Sequence, residues 1–259
     1  MAAVDEPTPS LDKAASRGRP SLVWRAGQER RFQMVRRWAP LTARRVLDVG
    51  CGVGMYTAAF QRETSHVFGI EVEGERARET REAGRAAGVV QAVGEHLPFA
   101  DGVFDVVFSH EVLEHVADDR MCVAEMVRVT RPPRPATGHP GGRIVVFVPN
   151  RLYPFETHGI FWRGQYRFGN VPLVNWLPTP WRDRLAPHVR AYTAHGLRRL
   201  LNGLPVGILH HTQIFAGYDA IVARFPALGQ ALRTVTYALE RTPLRGLGLS
   251  HLLVMERTG

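Results

Sequence analysis

The sequence predicts an α/β protein built on one largely parallel sheet. Three observations carry that prediction. Short apolar runs alternate with helical patterns between residues 44 and 150. Glycines stand at every second position, Gly50, Gly52 and Gly54, directly behind the first of those runs. The later runs end in polar residues, and parallel sheets bind their ligands beyond the carboxyl ends of their strands.

The elements follow in order. Residues 1–20 hold prolines, acids and no apolar core, which predicts a disordered tail and excludes a signal peptide. Residues 22–38 place Val23, Phe32, Val35 and Trp38 near helical spacing, and Pro40 ends the segment. "RRVLDVG" (44–50) reads as a buried strand, followed by a helix from residue 54. "HVFGIEV" (66–72) is a second strand, and the charged "EGERARETREAGRAAG" (73–88) is a surface helix with Gly88 as its expected stop. "VVQAV" (89–93) and "GVFDVVFS" (102–109) are the third and fourth strands. "DDRMCVAEMVRVT" (118–130) is helical, and "GRIVVFVP" (142–149) is the fifth strand after a long Pro/Gly-rich loop.

Beyond residue 150 the texture changes. Residues 151–193 are rich in aromatics, proline and arginine without clean periodicity, which predicts a lid or acceptor-shaping insertion. A helix over 193–204 has Thr193 as its N-cap. "VGILHHTQIF" (206–215) and "LSHLLVMER" (249–257) read as two more strands with mostly helical chain between them, for seven in all. One domain over 21–259 is expected, with 44–150 as its ligand-binding core and 194–259 as closing strands and helices.

Composition excludes several classes. The chain of 259 residues is 45% hydrophobic and 22% charged, with a net charge of +9 carried almost wholly by arginine. The arginines are scattered, so attraction to an anionic partner is the weaker reading of the charge. The two cysteines, Cys51 and Cys122, suggest neither a disulfide framework nor a zinc site. No run approaches the ~18 apolar residues of a membrane span. A cytoplasmic location is expected.

A glycine-rich turn between strand and helix admits a ligand close to the backbone and aims helix N–H groups at it. The dinucleotide fingerprint G-x-G-x-x-G fails here, because Met55 stands where the third glycine belongs. What stands instead is Asp48, Gly50, Gly52 and Gly54. This D-x-G-x-G-x-G resembles motif I of the class I S-adenosylmethionine-dependent methyltransferases. "GEHLPFADGVFDVVFSHEVLEHV" (94–116) and "GGRIVVFVPN" (141–150) then resemble segments of the type 11 branch, the ubiquinone/menaquinone-biosynthesis-like one. The resemblance covers residues 44–150.

It implies a Rossmann-like class I methyltransferase fold with S-adenosylmethionine as cofactor. Carried over residue by residue, Asp48 attracts the ammonium or fixes the turn. Backbone at Gly50, Cys51, Gly52 and Gly54 takes the amino-acid part. Glu71 takes the ribose hydroxyls, for which its two acceptor oxygens suit. Gly94, Glu95 and His96 border the adenine, with Leu97 as an apolar wall. Many relatives carry an acid where this chain has Val93, which leaves the adenine edge to backbone or to Glu95. The plain alternative for the glycines is a tight turn, and for Glu71 a solvated helix start.

For the transfer itself, His110 and Glu111 behind the fourth strand are the candidate substrate contact and base, with Ser109, Asn150, Glu156 and His158 as further candidates. Glu111, Glu114 and His115 form E-x-x-E-H, whose spacing shares one helix face and suits a divalent cation. The trio resembles the metal site of ubiquinone-pathway O-methyltransferases and of small-RNA 2′-O-methyltransferases. "VLEHV" also occurs across the type 11 branch without a metal, so no metal ligand is assigned from the sequence.

The acceptor expected is a hydroxyl or activated carbon on a small molecule, lipid-linked ones included. No Asn/Asp-Pro-Pro-Tyr follows the fourth strand, and no basic stripe carries stacking aromatics, so nucleic acid is not the expected partner. Trp162, Trp176 and Trp181 among arginines suit peripheral contact with anionic lipid, an acceptor pocket, or plain packing of a cap. Two other readings stay open: a protein that binds the cofactor without turnover, and a nicotinamide-dependent oxidoreductase. The sequence assigns no oligomeric state.

Overall fold

A computed structural model describes residues 23–259, so the tail expected over 1–20 lies outside the described residues. Helix α1 (Ala26–Trp38) precedes strand β1 (Val46–Val49). Helix α2 (Met55–Phe60), β2 (Val67–Glu71), α3 (Gly74–Glu82), β3 (Gly88–Gln91), β4 (Val106–His110), α4 (Asp119–Val129) and β5 (Arg143–Pro149) follow. The insertion holds β6 (Phe155–Glu156), β7 (Ile160–Trp162), β8 (Gln165–Arg167), β9 (Val171–Pro172) and α5 (Thr179–Leu185). Helix α6 (Ala194–Arg199), β10 (Val206–Ile214), α7 (Asp219–Arg224), α8 (Pro226–Leu239) and β11 (Ser250–Arg257) complete the chain.

Seven strands form one sheet in the order β10-β11-β5-β4-β1-β2-β3. Strands β3, β2, β1, β4 and β5 pair in parallel, and β11 runs antiparallel between β5 and β10. This is the expected Rossmann-like sheet. Strand β1 is buried along its length and β5 over all but its first residue, as a parallel sheet covered on both faces requires. On one face Phe32 and Val35 of α1 and Phe60 of α2 pack on Phe108 and Phe147. On the other, Cys122, Val123 and Met126 of α4 and Leu197 of α6 pack on Leu47, Val107 and Val146.

The carboxyl ends of the parallel strands lie at Val49, Glu71, His110 and Pro149. Ser250 opens β11 opposite Pro149 and Ile214. Two long segments therefore stand at this one end of the sheet: 151–193, which leaves β5, and 215–249, which joins β10 to β11.

Three local expectations need correction. Helix α3 ends at Glu82, and Gly84 (φ +64°) rather than Gly88 makes the turn after it. Gly88 opens β3, where a Cβ would meet the Phe68 ring at 3.3 Å. Strand β3 stops at Gln91, because His96 N–H donates to Val93 O and the chain turns there. Residues 151–193 contain two antiparallel pairs, β6 with β9 and β7 with β8, whose strands of two or three residues are too short to show alternation. Thr193 caps α6 as expected, accepting from Gly196 N–H at 3.0 Å.

Candidate active site

The glycine turn leaves β1 with all three glycines at positive φ: Gly50 +77°, Gly52 +55° and Gly54 +81°. The reasons differ. A Cβ on Gly50 would sit 2.4 Å from Val112 Cγ2, and one on Gly54 2.6 Å from Thr80 Cγ2. A Cβ on Gly52 would meet nothing within 4 Å, so the backbone there borders open space. Gly50 and Cys51 N–H groups both donate to Ile70 O, which hangs the turn from β2. Cys51 packs over Gly69, where a Cβ would lie 2.8 Å from its Sγ. That requirement for glycine inside β2 has no sequence signature.

A cavity of about 210 Å³ opens beside this turn. Asp48, Gly50, Cys51 and Gly52 line it with His110 and Glu111 from the end of β4. Thus the structure brings the candidate catalytic pair onto the glycine turn. Gln28 of α1 and Tyr56 of α2 also line the cavity. Sequence reasoning missed both, since each comes from a helix whose apolar pattern spoke only of packing.

Asp48 is buried, and its carboxyl is pushed up to about 8 by loss of hydration and then by the nearby Glu71 carboxylate. A cation brought into the cavity would oppose both effects by favouring the ionised carboxylate. Glu71, also buried, accepts from Gly52 N–H (2.9 Å) through one oxygen and from Glu73 N–H (3.0 Å) through the other. It is first a brace of the glycine turn, and its remaining lone pairs are what a diol could use.

The adenine candidates have structural duties. A Cβ on Gly94 would strike Cys122 Sγ at 2.6 Å, so this glycine lets α4 approach the loop. Glu95 accepts from Ala117 N–H (2.8 Å) and Asp118 N–H (3.3 Å), tying that loop to the start of α4. His96 is exposed.

His110 rests on Tyr56 and Phe147 with ring centroids 4.9 and 5.5 Å away. Burial, then the Arg31 charge, lower its pKa to about 4, so it is neutral at physiological pH. Its Nε2 and the Tyr56 hydroxyl are buried without a hydrogen-bond partner. Both polar atoms belong to residues lining the cavity. Glu111 holds φ +56°, a left-handed conformation that side-chain-bearing residues adopt at a cost. Burial opposes its charge, but His110, His158 and Arg31 prevail and hold its carboxyl below the usual range. Ser250 Oγ donates to it at 3.1 Å.

Behind Glu111 lies a second cluster, which corrects the helix face expected for Glu111, Glu114 and His115: residues 111–117 form turns and bends rather than a helix, and His158, not Glu111, completes the group. Glu114, His115 and His158 each offer a ligand atom, all within 4.8 Å of one another. His158 Nε2 is 3.9 Å from both Glu111 Oε2 and Glu114 Oε1. Glu156 accepts from His158 N–H (3.0 Å) and contacts its Nδ1 (3.1 Å), leaving Nε2 for the cluster. Arg182, itself buried, steadies Glu156 at 2.9 Å. Neither oxygen of Glu114 has a donor, and His115 Nδ1 is also unpartnered. Burial and the neighbouring Glu111 push the Glu114 carboxyl well above its usual range, and burial holds His115 near 4. Such a set of desolvated, unsatisfied acceptors is what a divalent cation neutralises. Of the further candidates, Ser109 is buried with Oγ unpartnered. Asn150 is spent on structure, its Nδ2 donating to Gly246 O (2.8 Å) and Gly248 O (2.7 Å).

Comparison with known proteins agrees with this geometry. Residues 47–133 match the family described as methyltransferase domain. An uncharacterised methyltransferase of Mycobacterium sp. (strain JLS) is 43% identical over 116 residues, 44% of this chain and 42% of that protein. The chain thus spans under half the length of that relative. A ubiquinone biosynthesis O-methyltransferase of Erwinia tasmaniensis is 29% identical over 195 residues, 66% of this chain and 75% of that one. The crystal structure of an S-adenosylmethionine-dependent methyltransferase from Mesorhizobium loti shares the fold, with TM-score 0.60 and 18% identity over 96% of this chain and all of that one. That neighbour is S-adenosylmethionine-dependent. The cavity in this chain would fit such a cofactor: the buried Asp48 carboxyl offers a place for a cationic group, and the open face of Gly52 is room that any side chain would take.

Proposed function

We propose that this chain, whose residues 47–133 match the family described as methyltransferase domain, is a class I methyltransferase that transfers a methyl group from S-adenosylmethionine to an oxygen of a small acceptor. Glu114, His115 and His158 would hold a divalent cation beside the transfer site. One observation carries the reading. A buried carboxylate with no donor and two histidines converge within 4.8 Å, directly behind the Glu111 that lines the cofactor cavity.

In the reaction the methyl carbon leaves the sulfonium sulfur, whose bond pair stays on sulfur, and bonds to the acceptor oxygen. The oxygen must shed its proton. Glu111, ionised and at the cavity wall, accepts it. Neutral His110, with Nε2 free, takes a hydrogen bond and orients the acceptor. Asp48 and the glycine turn hold the amino-acid part of the cofactor and Glu71 its ribose. A bound cation would lower the acceptor hydroxyl's pKa.

The test is calorimetric titration with S-adenosylmethionine and its demethylated product, followed by a screen of phenolic and alcoholic acceptors with and without Mg²⁺ or Mn²⁺. The reading expects binding of both nucleosides and cation-dependent methyl transfer, with His158→Ala sparing cofactor binding while abolishing the cation dependence. No cofactor binding overturns it. Binding without transfer to any acceptor would favour a silent binding protein.

A further inference from the structure

We propose that the cap at the carboxyl end of the sheet is a membrane-binding surface that seats on an anionic bilayer through α8 and the aromatic turns of 151–193. The first observation is α8 itself. Its fourteen residues carry one charge, Arg233, which is tied to Asp219 of α7 at 2.8 Å. Gly229 and Thr236 are buried, and Gly229 packs against Val222 of α7. On the exposed side, flanking that buried stripe, stand Leu228 and Val235, seven residues apart and 62% and 58% exposed. A helix that meets only water normally carries charge on that face. Phe225 before the helix and Leu244 after it are also exposed.

The second observation is the insertion. Trp162, Phe168, Trp176 and Trp181 are all exposed. Both segments are anchored at one end of the sheet: Asn150, from which the insertion leaves β5, donates to the carbonyls of Gly246 and Gly248 in the other segment.

Charge chooses the occupant. Every acid in 151–193 and 215–249 is already paired: Glu156 and Asp183 with Arg182, Asp219 with Arg233, and Glu240 with Arg30. Arg163, Arg167, Arg184, Arg224, Arg241 and Arg245 are exposed and in no ion pair among the described residues. A second copy of this chain would bring two such arginine sets together. An anionic bilayer complements them, and indole rings among arginines suit the headgroup layer. On the methyl-transfer reading, this seat delivers an acceptor resident in the bilayer to the carboxyl end of the sheet. The surface itself does not depend on that reading.

Co-sedimentation of the full chain with phosphatidylcholine vesicles, alone or mixed with phosphatidylglycerol, tests the proposal. Binding is expected only to the mixed vesicles. Leu228→Glu with Val235→Glu should weaken it by about tenfold or more, and so should Arg241→Glu with Arg245→Glu. Both pairs are exposed, and unchanged circular dichroism melts will show that the fold is intact. No binding to mixed vesicles overturns the proposal. So does equal binding to both vesicle types, or indifference to Leu228→Glu with Val235→Glu. A dimer by light scattering that the same pair dissociates would assign the face to a second copy. Titration with S-adenosylmethionine runs in parallel. Vesicle binding without cofactor binding would sink the proposed reaction and leave this surface standing, and the reverse would sink only the surface.

Discussion

Replacing Asp48 by Asn should make the ligand-free protein more stable and a poorer binder. The buried Asp48 carboxyl titrates at about 8 in the fold against an ordinary 3.8. A raised acid pKa means that the fold favours the protonated form. Stability from this group is thus full below pH 3.8 and is lost as pH climbs toward 8. At pH 7 the chain lies about three units above the unfolded value, at about 1.4 kcal/mol each, for a loss on the order of 4 kcal/mol. Asn never ionises and escapes that loss. Urea unfolding of both proteins from pH 4 to 8 should show Asp48→Asn ahead by several kcal/mol at pH 7. The gap should fall below about 1 kcal/mol near pH 4. Cofactor affinity should drop by about 1–3 kcal/mol, the cost of one charge-assisted contact. A stability gap that stays constant across pH would refute the assignment of Asp48 as a carboxylate poised for a cationic ligand.

The same logic makes S-adenosylmethionine bind more tightly as pH rises from 6 to 8 in the native protein but not in Asp48→Asn, which calorimetry in two buffers can read as proton release. Glu71→Ala should weaken cofactor binding by about 1–3 kcal/mol and lower the melting temperature too, because Gly52 and Glu73 lose their acceptor. Gly94→Ala should destabilise by about 1–3 kcal/mol through collision with Cys122 Sγ, and Cys122→Ala in the same chain should return part of it by double-mutant cycle. Glu114→Gln should raise stability without cations and remove Mn²⁺ binding measured by paramagnetic resonance, since an amide spares the uncompensated carboxyl.

The inner strands of the sheet were legible because they are buried on both faces and the helices around them are not. The runs at 46–49, 67–71, 106–110 and 143–149 stand out as apolar blocks between charged ones. The glycine turn was legible because three positive φ angles demand glycine at those positions. What stayed hidden was contact across the chain. Nothing near Gly69 or Gly94 announces a cysteine from another element, and only the fold brings Cys51 and Cys122 there. His158 was visible as a residue but not as the partner of Glu114, forty-four positions earlier, because a loop carries no period from which to read distance. The apolar face of α8 had a helical pattern, but which of its sides the core would cover is set by packing against Val222.

Cys51 makes the glycine turn its own clock. Its thiol is sealed over Gly69, and burial followed by the Asp48 and Glu71 charges pushes its ionisation far up. A thiol reagent meets it through the cavity that Cys51 lines, and the raised ionisation keeps attack slow while the turn stays packed on β2. The labelling rate of the native chain therefore reports how freely the cavity and the turn open. Comparing it with the rate for Cys122, sealed beneath Gly94, separates local lifting from global unfolding. A ligand that grips the turn will slow the first clock and leave the second nearly unchanged.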